Sequence, residues 1–102
     1  MKKNPQIAIE VAKILDLIKE KSPGRAVELR IPPYGAIQCV KGVHHRRGTP
    51  PNQVEMTAEV LIQLAKDPTR WPALISSGQI QASGQFSDLG PVFTLISGEY
   101  QG

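Results

Sequence analysis

The sequence predicts an α+β fold: a mainly antiparallel sheet with helices packed on one of its faces. Three observations lead there. Apolar residues recur at helical spacing over 5–21 and 58–66, and they alternate with polar ones over 26–31 and 79–83. Read in order, the elements are helix, strand, strand, strand, helix, helix, strand, helix, so strands and helices are partly segregated, as in a sheet roofed by helices. Finally, 102 residues with 40% hydrophobic and 21% charged content suit one folded domain, 1–102, around one core.

Each element has its own justification. In "PQIAIEVAKILDLIKEK" (5–21), Ile7, Val11, Ile14, Leu15 and Ile18 form one stripe, Pro5 suits a first turn, and Ser22-Pro23-Gly24 stops the helix. "AVELRI" (26–31) turns Val27, Leu29 and Ile31 one way and Glu28 and Arg30 the other, the pattern of a half-buried strand. Pro32-Pro33-Tyr34-Gly35 punctuates it, and "AIQCVK" (36–41) follows closely enough to pair as an antiparallel hairpin. Residues 42–52 read as a loop, because Gly42, Gly48, Pro50, Pro51 and Asn52 all suit irregular backbone. "QVEM" (53–56) is a short third strand. Thr57 caps a helix over 58–66 whose apolar face is Val60, Leu61 and Leu64. Pro68 opens a short helix that ends before Gly78; "QIQAS" (79–83) sets Ile80 and Ala82 on one side of a strand. A last helix over 88–96 carries Leu89, Val92, Phe93 and Ile96, tolerates Pro91 only in its first turn, and leaves 97–102 to fray.

Charge and cysteine content exclude some functions. A net charge of +3 is too mild to imply nucleic acid. The lone Cys39 has no internal disulfide partner, which favours a reducing, cytoplasmic setting. Lys2 and Lys3 imitate the start of a secretion signal, but Glu10, Lys13 and Asp16 interrupt the apolar run that should follow. No stretch is long enough for a membrane span, so no stable membrane insertion is expected.

Three groups of residues are candidates for chemistry. The first is "GVHHRRGTPPNQVEM" (42–56). A metal site would need His44, His45 and Cys39, yet adjacent histidines in extended chain point to opposite sides, and the ligand count falls short. A nucleophile needs a base and an orienting group, and Cys39 with a histidine lacks the third member. An anion site fits better, with Lys41, Arg46 and Arg47 close in sequence and Gly48 and Thr49 as further donors. The competing reading is a solvated loop whose arginines pair with Glu55 or Glu28. The second group is Met56, Leu64, Trp71, Leu74, Phe86 and Phe93, either core residues or the wall of an apolar pocket. The third, "SSGQIQASG" (76–84), matches neither phosphate-loop pattern and is better explained as a strand.

The second half, "VEMTAEVLIQLAKDPTRWPALISSGQIQASGQFSDLGPVFTLI", resembles the sterol carrier protein type 2-like domain, through its strand, cap and helix followed by "SGxIxxSG" and a last helix. "RIPPYGAIQCV" and "HHRRGTPPNQVE" look like a compact bacterial branch of that family, and the resemblance spans about 26–96. It implies a sheet of four to five strands under a helical layer, with an apolar cavity between them for a sterol, fatty acid or fatty acyl-CoA. The wall would then draw on Ile37, Met56, Leu64, Trp71, Leu74, Phe86 and Phe93, and Arg46, Arg47, His44 and His45 would face a head group. The function so implied is non-enzymatic binding of a lipid-like molecule, with no cofactor and no metal. The alternative is a protein-interaction module or an accessory domain of an enzyme system.

Overall fold

A computed structural model describes residues 2–42 and 50–102. Their order is α1 (Pro5–Lys21), β1 (Val27–Ile31), β2 (Gly35–Cys39), β3 (Asn52–Met56), α2 (Ala58–Lys66), α3 (Trp71–Ser76), β4 (Ile80–Ser83) and α4 (Gly90–Ser97), with a 3-10 turn at Pro68–Arg70 leading into α3. This is the expected α+β succession, with four strands.

Local chemistry explains the helix ends. The Asn4 side chain accepts from the amides of Gln6 and Ile7 at 2.9 and 3.2 Å, satisfying donors that the first turn of α1 leaves open. Val11, Ile14, Leu15 and Ile18 are then the buried stripe. Thr57 Oγ1 accepts from Val60 N at 3.2 Å and starts α2, whose Val60, Leu61 and Leu64 are buried as expected. In α4 the start moves from the expected 88 to Gly90, because Asp88 Oδ1 accepts from Gly90 N at 2.9 Å and so lies outside the helix.

The sheet order is β2-β1-β3-β4. β1 and β2 form the expected antiparallel hairpin, and β3 pairs antiparallel with β4, but β1 and β3 run parallel. The cause is visible in the register. Cys39 ends β2 opposite Val27, and Asn52 begins β3 opposite the same Val27. β2 therefore ends and β3 begins at the foot of β1, on either side of it, and β3 runs in the direction of β1. Backbone bonds fasten the end of β2 there: Ala26 N donates to Val40 O at 3.0 Å, and Val40 N to Ser22 O at 2.8 Å. Val40 takes φ +70°, a costly region for a β-branched residue, which ends β2 two residues before the expected boundary at 41. Gly24, at φ +149°, is needed beside it, since a Cβ there would run into the Val40 carbonyl.

Alternation then sorts the sheet into two faces. Val27, Leu29, Ile31, Val54, Met56 and Ile80 join helix residues Ile14, Ile18, Leu61, Leu64, Phe93 and Ile96 in one buried cluster. Arg30, Gln81 and Ser83 point the other way and are exposed, with Glu28, Gln53 and Glu55 half-exposed. Within the tail expected to fray, Glu99 and Tyr100 are held. Tyr100 Oη donates to Glu10 Oε1 at 2.6 Å, and Lys21 Nζ lies 2.7 Å from Glu99 Oε2, so the chain is strapped back onto α1. No helix among the described residues is long and apolar enough to cross a membrane.

Candidate functional site

The register of β4 exposes a gap in the helical layer. Ala82 stands opposite Val54, and Ile80 opposite Met56. Directly opposed residues share a face, so Ala82 belongs to the side that faces the helices. Val54 is wholly buried there, yet Ala82 is exposed. The helices stop short of the outer end of β4.

What remains is a groove of about 530 Å³. Trp71 and Ile75 of α3 form one wall, Ile80, Gln81 and Ala82 of β4 the other, and Ser87 and Asp88 the end. Trp71 is 8% exposed, with its indole centroid 6.0 Å from the Phe93 ring at a tilt of 30°. That contact fixes the indole from behind. Ile75 is 37% exposed, and Phe86, just before Ser87, is 56% exposed, so large apolar surface borders the groove.

The segment carrying Phe86 is pinned by one buried side chain. Asn52, 3% exposed, accepts from Phe86 N through Oδ1 at 2.9 Å and donates from Nδ2 to Ala26 O, also at 2.9 Å. Gly84, at φ +106°, passes so close that a Cβ would overlap the Asn52 side chain. Ser87 Oγ donates to Gly84 O at 2.8 Å and tightens the same turn.

A second cleft, of about 520 Å³, lies where parallel strands β1 and β3 end. Pro32, Pro33, Tyr34, Met56 and Val60 line it together with Lys2, Glu55, Glu59 and Gln79. Tyr34 Oη accepts from Asn4 N at 3.0 Å and ties the start of α1 to the hairpin turn.

The residues expected from the sequence are thus dispersed. Trp71 lines the groove, and Phe86 stands exposed next to Ser87. Leu64, Leu74 and Phe93 are buried core, Met56 borders the second cleft, and Ile37 is half-buried on the edge strand β2. His44, His45, Arg46 and Arg47 lie outside the described residues. On either side of them, Pro50 is buried, and Gly42 approaches Ala26 so closely that a Cβ would sit 2.5 Å from the Ala26 Cβ. Glu55, considered as a partner for those arginines, lies 3.8 Å from Arg30 through Nε–Oε1. Cys39 is fully buried, and burial pushes its thiol up to about 11, so little thiolate forms near neutral pH. Among the described residues no three His, Cys, Asp or Glu side chains gather as metal ligands. Sequence reasoning missed Ile75, Ser87 and Asp88; the signal available was the small Ala82 on the core side of a strand.

A family model described as "Bacterial SCP ortholog" matches residues 3–95. In fold, the chain is similar to the solved structure of the UbiJ-SCP2 ubiquinone synthesis protein, at 15% identity and a TM-score of 0.55, over 95% of this chain and 93% of that one. No curated protein matches the sequence.

Proposed function

The chain belongs to the family of bacterial SCP orthologs, the sterol carrier type 2-like proteins, and from that premise we propose that it binds a lipid-like molecule without transforming it, in the groove beside β4. The observation that carries this reading is Ala82, a core-facing residue left uncovered next to Val54. An apolar chain laid there would cover Ala82 and Ile75 and rest on the indole of Trp71. Burial of that surface drives binding at about 25 cal/mol per Å². A volume of about 530 Å³ falls in the range usual for small-molecule sites, about 300–1,000 Å³.

Trp71 is the only tryptophan, so its emission reports on this groove alone. Titration with long-chain lipids should shift or quench that emission, and Ala82→Phe, which fills the groove, should abolish the change while the fold is retained. An emission spectrum indifferent to every lipid tried would overturn the reading. A second reading, an accessory role beside enzymes that build a lipid such as ubiquinone, draws on the fold shared with the ubiquinone synthesis protein. Native mass spectrometry of the purified protein separates the two, since the first expects copurified lipid and the second a protein partner.

A further inference from the structure

We infer that the groove selects lipids with an uncharged, hydrogen-bond-donating head, such as an alcohol, over fatty acids and other anionic lipids; this rests on the groove being the lipid site. Gln81 borders it but turns its side chain to the opposite face of β4, so the polar side chains on offer are Ser87 and Asp88. No lysine or arginine is among the described lining residues. Both polar groups can only accept from a ligand. Ser87 commits its one O–H to the Gly84 carbonyl, which leaves lone pairs alone on offer. Asp88 is a carboxylate with one oxygen bonded to Gly90 N, and no cation pairs with it among the described residues.

Asp88 is also close to the apolar floor. A Cβ on Gly90 would lie 3.0 Å from Asp88 Oδ1 and 3.5 Å from the Trp71 ring, so carboxylate and indole are neighbours across one glycine. A hydroxyl head brought to this end of the groove finds a charge-assisted acceptor. A carboxylate head at about 4 Å meets like charge, a penalty of about fivefold in affinity in fully aqueous surroundings and more where the groove excludes water.

The test compares 1-dodecanol with dodecanoate at pH 8, read by Trp71 emission. The wild-type protein should bind the alcohol about tenfold more tightly, and added salt should narrow the gap by screening the acid's repulsion. Asp88→Asn keeps the acceptor for Gly90 N but removes the charge, so it should bring the two affinities within about threefold at unchanged melting temperature. Wild-type binding of dodecanoate as tight as that of dodecanol would overturn the selectivity and leave the groove standing. Failure of both ligands to change the emission would overturn the groove and the selectivity together.

Discussion

Asn52 shows how much one side chain settles. From sequence it belongs with the loop 42–52, because asparagine suits irregular backbone. In the structure it opens β3 and is buried, since its amide bridges Ala26 O and Phe86 N, joining two chain segments far apart in sequence. The Pro-Pro-Asn end of the histidine–arginine run is therefore framework. Asn52→Ala strands a buried carbonyl and an N–H, and should cost about 2–4 kcal/mol in urea unfolding. Asn52→Asp is the sharper probe. Its carboxylate still accepts from Phe86 N but faces the Ala26 carbonyl without a proton to donate. The variant should be strongly destabilised at pH 7 and recover part of its deficit near pH 4, where a protonated carboxyl can donate again. A deficit independent of pH would refute the bridge.

At the scale of elements, legibility depends on where the partner residues lie. α1 and α2 are readable from sequence to the residue, because a 3.6-residue stripe and a cap are local signals. Glu99 and Tyr100, after α4, read as frayed only because their partners, Lys21 and Glu10, are distant in sequence. The Tyr100 hydrogen bond holds the Glu10 carboxyl below its usual 4.5, while burial, then the Glu10 contact, pushes the Tyr100 hydroxyl up to about 12. A lowered acid stabilises the fold above its unfolded value and loses that contribution as pH falls through the folded one. A raised phenol stabilises below its unfolded value of 10 and loses the contribution as pH rises through about 12. Tyr100→Phe should therefore melt earlier than wild type by a margin that is flat from about pH 5 to 10 and shrinks on both sides. In NMR titration of the variant, the Glu10 carboxyl should move up toward 4.5. A margin unchanged through acid would remove the strap.

At the scale of the molecule, the placement of one strand decides the architecture. Local patterns predict one hairpin, 26–31 with 36–41, in a mainly antiparallel sheet, and the parallel β1–β3 pair follows only from β3 starting again at the foot of β1. Nothing local encodes that placement, just as alternation places Ala82 on the core side without saying what covers it. The result is a sheet with one roofed face and one bare face, and neighbouring residues on a single strand should feel the difference. Leu29 is wholly buried, with Ile37 and Val54 opposite it. Arg30, next in the chain, faces outward, and its side chain is 52% exposed in a 3.8 Å pair with Glu55. Leu29→Ala leaves a void under the helices and should cost about 2–5 kcal/mol. Arg30→Ala removes a screened surface pair and should cost about 0.5 kcal/mol or less. Urea midpoints measured at equal m-values would give both numbers in one experiment. Comparable costs at the two positions would mean that the polar face is covered as well, and that the sheet lies between two layers rather than under one.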